Sequence, residues 1–140
     1  MHLRVKLLHP DATLPKYAHD GDAGFDVFAK EDVTIPVGER RAIYLGFSAE
    51  IPDGTVALVW DKGGIAAKQG ITSLAGVIDA GYRGEWLVVL HNLGSEPFTF
   101  AKGMKVAQVL IQQVERPTIE VAQELSETAR GAGKFGSTGQ

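Results

Sequence analysis

The sequence contains no cysteine. Disulfides, thiolate nucleophiles and cysteine-bound zinc are therefore excluded. Histidine is scarce, and His2, His9, His19 and His91 share no His-x-His or His-x3-His spacing, which argues against a histidine zinc site. A Gly-x-Ser-x-Gly elbow is also missing. Apolar runs are short. The longest, Val56 to Trp60 and Trp86 to Leu90, cannot span a bilayer, so no membrane partner is expected. Met1-His2-Leu3-Arg4-Val5 lacks the apolar stretch of a signal peptide. The expectation is a soluble, cytoplasmic protein, with a secreted cysteine-free protein as the alternative. Positive charge is not in excess, because 14 Lys and Arg face 17 Asp and Glu for a formal net charge of −3. A duplex nucleic-acid binder carries a basic face. None is visible, so no nucleic-acid partner is expected, and an anionic ligand would have to be met by locally concentrated charge.

What is present is two-residue alternation. With 140 residues and 44% hydrophobic content, the chain can bury the core of one domain. Leu3, Val5 and Leu7 alternate with polar residues, as do Val33, Ile35 and Val37, and again Ile119 and Val121. The run Ile43, Leu45, Phe47, Ala49, Ile51 keeps the period longest, with Tyr44, Gly46, Ser48 and Glu50 facing away. Period two marks half-buried strands. Turn signals recur closely, at His9-Pro10, Asp20-Gly21, Pro36-Val37-Gly38, Pro52-Asp53-Gly54, Asn92-Leu93-Gly94 and Lys102-Gly103. Many short strands so punctuated predict an all-β sandwich or barrel. Helix signals are weak, with one or two turns expected over Gly64 to Lys68, closed by Gly70.

The last segment, Arg130 to Gln140, differs in kind. It holds four glycines and one large apolar residue, too little to order itself. It either frays, as termini do, or is ordered by a ligand. Its two cations, aromatic ring and two hydroxyls would suit a phosphate and a base. Gly133-Lys134 hints at a P-loop, but Phe135 stands where Ser or Thr is needed and no helix can follow.

Five short segments stand in a fixed order. They are Asp22-Ala23-Gly24-Phe25-Asp26-Val27, then Asp61-Lys62-Gly63-Gly64-Ile65-Ala66, then Gly76 through Glu85, then Lys102-Gly103-Met104-Lys105-Val106-Ala107-Gln108, and last Arg130 through Gly139. Together they resemble the five motifs of the trimeric dUTPase family, across residues 22 to 139. The resemblance implies a jelly-roll-like β barrel with at most one short helix. The barrel domain would occupy residues 1–129, and a flexible glycine-rich arm, residues 130–140, would close over the nucleotide. It implies a homotrimer with shared active sites, Mg2+ as cofactor, and hydrolysis of dUTP to dUMP and pyrophosphate by water attacking the α-phosphate. Such a reaction keeps uracil out of DNA.

Residue roles follow from the same resemblance. Val77 to Leu87 can form a hairpin with Asp79 to Glu85 around its tip. Main-chain groups at Val77, Ile78, Asp79 and Leu87 would pair with the uracil edge. Tyr82 would pack under the deoxyribose and exclude a 2′-hydroxyl; alternatively it is a half-exposed turn aromatic. Asp79 would be the general base that orients and deprotonates water; alternatively it caps a turn. Lys62, Arg130, Ser137, Thr138 and the N–H groups of Gly63 and Gly64 would surround the phosphates. Phe135 would stack over uracil, with Gly136 beside it. Asp26 and Gln108 would support the site from behind, unless Asp26 is a plain structural aspartate. Mg2+ would be held by phosphate oxygens and waters, with Asp26 as a contact through water and no direct protein ligand.

Two departures stand out. Gly63 replaces the serine usual in the second motif, and Lys134 replaces the second glycine of Gly-Gly-Phe-Gly. The lost hydroxyl is compensated by Lys134, is a simple loss, or reflects a positive φ at Gly63. It also keeps open a catalytically silent binding protein as a second class. A dCTP deaminase, which shares the fold, would need a glutamate where Val89 stands.

Overall fold

The computed structural model describes residues 1–134, and Phe135, Gly136, Ser137 and Thr138 lie outside the described residues. The chain folds as strands β1 (Arg4–Leu7), β2 (Phe25–Phe28), β3 (Val33–Ile35), β4 (Arg40–Tyr44), β5 (Phe47–Glu50) and β6 (Thr55–Trp60), then helix α1 (Gly63–Gln69). Strands β7 (Ile71–Leu74), β8 (Val77–Asp79), β9 (Leu87–Asn92), β10 (Phe98–Phe100) and β11 (Lys105–Gln113) follow. The strands form four sheets, ordered β1-β5, β10-β3, β2-β11-β6-β8 and β4-β9-β7, with every pair antiparallel. Their inward faces meet in one core that includes Val27, Ile35, Ile43, Phe47, Trp86, Leu90, Phe100 and Val109. Each fully buried aliphatic or aromatic side chain there contributes about 1.5–3 kcal/mol by leaving water.

The expected alternation over residues 43–51 is present, but not as one strand. Ile43, Leu45, Phe47, Ala49 and Ile51 are all buried. Yet β4 ends at Tyr44 and β5 starts at Phe47, and Gly46 is buried rather than facing out. Gly46 adopts φ 77° between the two strands, so the run changes sheets without losing its inward period. Ile119 and Val121 were expected in a strand. They form none and are 95% and 100% exposed, because no neighbouring strand of this chain pairs with them. Val37 likewise falls in the turn after β3 and is exposed.

The expected helix is present as α1, one residue earlier than its predicted start. Gly70 closes it with φ 68°, and its N–H donates to the Ala66 carbonyl.

Candidate active site

Three neighbouring strands assemble the first half of the site. In the β2–β11 ladder Asp26 lies opposite Gln108, and in β11–β6 Gln108 lies opposite Trp60. A register shift between Lys105 and Ala107 sets this alignment. Asp61 and Lys62 follow directly on the end of β6. The result is a cleft of about 660 Å3 walled by His19, Asp22, Gly24, Asp26, Trp60, Lys62, Lys105 and Gln108.

Asp26 is the electrostatic centre of that cleft. It is 3% exposed. Lys62 Nζ donates to its Oδ1 at 2.7 Å, and Lys105 Nζ lies 2.6 Å from Oδ2. Burial alone would raise its carboxyl; the Lys105 and Lys62 ammonium groups outweigh that and hold it below the usual carboxylate range. Oδ2 nevertheless has no well-directed hydrogen bond, only the neighbouring charge. Asp61, the residue before Lys62, is anchored by three bonds of its own. Thr72 Oγ1 donates to Asp61 Oδ2 at 2.8 Å, Ser73 N to Oδ1 at 2.6 Å, and Gln108 Nε2 to the Asp61 carbonyl at 2.9 Å. Burial pushes the Asp61 carboxyl up, but the Ser73 and Thr72 hydrogen bonds more than offset it, and it too sits below the usual range.

Helix α1 begins at the wall of this cleft with no side-chain cap at Lys62. The N–H groups of Gly63 and Gly64 therefore have no partner within the helix and face solvent. Gly63 has no positive φ, and a Cβ there would meet nothing within 4 Å. The position accepts a side chain, so the conformational explanation for its glycine is excluded.

The second half of the site lies where the chain crosses between sheets. Strand β7 pairs with β9, and β8 pairs with β6. The switch occurs at Ala75 and Gly76, with φ 63° and 117°. Ala75 is the one non-glycine residue with positive φ among the described residues, and such strain collects at functional positions. At Gly76 a Cβ would lie 3.0 Å from the Val59 carbonyl oxygen, so close approach as well as φ calls for glycine.

The predicted hairpin over Val77 to Leu87 is not a paired ladder. Strands β8 and β9 belong to different sheets. The physical cause lies in the connecting turn. Ala80 and Trp86 are buried at 3% and 1% exposure, and main-chain bonds from Leu45 N to Trp86 O and from Trp86 N to Phe47 O draw the start of β9 away from β8. The divergence leaves one edge of β8 without a partner strand among the described residues, and β7 reaches β9 only from Val89 onward. Between these edges opens a cleft of about 310 Å3, lined by Val59, Gly76 to Asp79, Tyr82 and Glu85 to Val89. Asp79 stands exposed at its rim, and Tyr82 N donates to the Asp79 carbonyl at 3.0 Å.

The predicted residues thus divide into two groups. Asp26, Lys62 and Gln108 line one cleft, with Gly63 and Gly64 following Lys62 at the start of α1; Val77, Ile78, Asp79, Tyr82 and Leu87 line the other. Asp79 lies opposite Val56 on β6, four residues from Trp60. That is about 13 Å along the strand, with Lys62 further still. Arg130 belongs to neither group. It is exposed, and its Nε donates to the Gly133 carbonyl at 3.2 Å. Lys62, expected as a phosphate cation, is paired with Asp26 in this structure. Asp61, Glu85 and Lys105 lie within the recognised segments but drew no role from the sequence. Lys30 carried no local signal at all, since only the fold brings it to Glu85.

The architecture is that of an all-β protein with a jelly-roll-like fold. The family model described as dUTPase matches residues 10–139. A deoxyuridine 5′-triphosphate nucleotidohydrolase of Clostridium tetani is 48% identical, covering 99% of this chain and 97% of the relative. One from Paramecium bursaria Chlorella virus 1 is 42% identical, covering 98% and 97%. Among solved structures, a mutant of the Staphylococcus bacteriophage 80alpha dUTPase with dUpNHpp superposes with a TM-score of 0.90 at 28% identity, covering 99% of both chains. A mutant dUTPase of phage phi11 of S. aureus, described with a coordinated structural Mg(II) ion, gives 0.83 at 25% identity over 89% of this chain and 98% of that one. The chain belongs to the dUTPase family.

Proposed function

We propose that this dUTPase hydrolyses dUTP to dUMP and pyrophosphate in the cytoplasm as a homotrimer, with each active site assembled from the two clefts of different chains. The observation that carries the reading is the open pair of strand edges beside Asp79. Uracil needs donors and acceptors along one edge, and the unpaired main chain of β8 and the start of β9 supplies both. Tyr82 packs against the deoxyribose. Asp79, exposed at the rim, orients the attacking water and takes its proton as the oxygen bonds to the α-phosphorus; the bond to the bridging oxygen breaks and pyrophosphate leaves.

The triphosphate needs cations and N–H donors, which the other cleft provides through Lys62, Gly63 and Gly64. Separation of the two clefts along β6 supports a site completed by a second chain. Residues 130–140 act as the closing arm over the barrel of residues 1–129. There Arg130, Ser137 and Thr138 meet the phosphates and Phe135 stacks on the base, with Gly136 among the substrate-binding residues. Gln108 braces Asp61 and so the base of Lys62.

Mg2+ fits this arrangement. The phosphates and waters would supply the ligands, and the Asp26 carboxylate, closed here by Lys62 and Lys105, would accept from a water on the ion once a lysine turns to the phosphates. When bound, the ion neutralises phosphate charge. Among the described residues no group of three carboxylates or imidazoles stands ready as a protein cage. Val89 lines the uracil-side cleft and has no proton to exchange, which favours hydrolysis over deamination. The test is pyrophosphate release from dUTP by the purified full chain with Mg2+. Tight binding of dUTP without release would leave a binding protein, the reading that Gly63 keeps in view.

A further inference from the structure

The turn that carries Tyr82 is held by a side chain with no part in the chemistry above. Glu85 Oε1 accepts from Lys30 Nζ and from Gly46 N, both at 3.0 Å. The two side chains are only 20% and 23% exposed for Lys30 and Glu85. Lys30 is itself fixed, with its Nζ 5.1 Å from the centre of the Tyr44 ring. Gly46 is the break between β4 and β5, so its amide has no ladder partner and Glu85 satisfies it. The main-chain carbonyl of Glu85 in turn accepts from Tyr82 Oη at 3.0 Å. Gly84 makes that bond possible: a Cβ there would sit 2.3 Å from Tyr82 Oη. The phenol therefore folds across Gly84 onto Glu85, and the Glu85 side chain ties the unit to the barrel.

We propose that Glu85, held by Lys30 and the Gly46 amide, is a positioning residue that fixes the Tyr82 ring against the sugar and thereby sets discrimination between deoxyribo- and ribonucleotides. The proposal rests on the reading of Tyr82 under the deoxyribose. A ring held from behind at its hydroxyl cannot yield to a 2′-hydroxyl, whereas a ring on a loose turn can. Steric exclusion is only as strong as the wall is stiff.

The experiment measures kcat and KM for dUTP and UTP on the full chain. In Glu85→Ala, kcat/KM for dUTP falls mainly through KM, and the dUTP-to-UTP preference narrows by about tenfold, the effect of one charge-assisted hydrogen bond. Glu85→Gln keeps an acceptor for Gly46 and recovers most of that preference. Lys30→Met, which keeps the carboxylate, narrows it by a smaller factor and serves if Glu85→Ala does not fold. Tyr82→Phe narrows it too and adds little on top of Glu85→Ala. An equal loss on both substrates, with the preference unchanged in Glu85→Ala and Lys30→Met, overturns the proposal and makes Glu85 merely structural. If Tyr82→Ala also leaves the preference unchanged, the sugar-contact reading itself has failed. If Tyr82→Ala narrows it while the Glu85 and Lys30 variants do not, only the brace has failed.

Discussion

Asp26 and Lys62 form a 2.7 Å ion pair at one end of the β2-β11-β6-β8 sheet, whereas Asp79 sits on the last strand of that sheet, four residues along β6 from Trp60. If Asp79 is the base and Lys62 a phosphate cation, as proposed above, this spacing sets them at separate clefts of one chain. The proposed homotrimer would bring the Asp79 cleft of one chain to the Lys62 cleft of another.

That separation predicts complementation. Asp79→Asn should leave folding and binding of a non-hydrolysable dUTP analogue nearly intact while reducing kcat by about a hundredfold or more, the scale of a lost general base. Lys62→Ala should be impaired through a different cleft. Unfolding and refolding the two variants together should return activity above that of either alone, since some sites combine the intact half of each. Mixed protein no more active than its parents would place both residues in sites built from a single chain.

The arm gives a second prediction. Residues 114–134 form no strand, and Ile119, Val121 and Leu125 are exposed, so this segment contributes nothing to the core of its own chain. Deleting residues 130–140 should leave melting temperature within a few degrees, since the described part, Arg130 to Lys134, is exposed, yet abolish most turnover by removing Arg130 and the closing groups. Turnover by the truncated protein equal to that of the full chain would remove the arm from the mechanism.

Gly63 supplies a third. Because its φ is not positive and its Cβ direction is open, Gly63→Ser should fold normally. A hydroxyl there adds a donor near the bridging oxygen, and a donor used only in the transition state contributes up to about 3 kcal/mol. If the hydroxyl is a simple loss, the gain in kcat approaches that figure; if Lys134 compensates for the missing hydroxyl, the gain is small. Lys134→Gly should then cost more in the Gly63 protein than in the Gly63→Ser protein. Strict additivity in this double-mutant cycle would show that Lys134 does not share the task.

Acid stability provides the fourth. Asp26 and Asp61 both sit below their ordinary value of 3.8 in the folded protein. Between that lowered position and 3.8 the unfolded chain binds more protons, so stability rises with pH there. Their contribution is complete above 3.8 and is lost as pH falls through the folded values. Asp61→Asn should cost about 1–3 kcal/mol near neutral pH, the scale of a hydrogen-bonded charge, and progressively less on acidification. Urea midpoints measured down to about pH 3 would reveal this. A loss independent of pH would assign the effect to geometry rather than charge.

The sequence by itself determined the β class, the inward face of residues 43–51, the short helix and its glycine stop. These depend on local periodicity and on backbone freedom at single residues, which neighbours in the chain suffice to set. It also contained the five segments that mark the family, including Asp79, Tyr82 and Lys62. Only the tertiary structure decided how those segments are arranged. Residues 43–51 read as one strand because a glycine can change a strand's direction without breaking its period. The Val77 to Leu87 segment read as a closed hairpin because nothing local reveals that Trp86 is clamped to Leu45 and Phe47. Lys30 and Glu85 are 55 residues apart, and Asp26 and Lys62 are 36. Long-range ion pairs leave no periodic trace, since they form only after the strands between them have chosen their register.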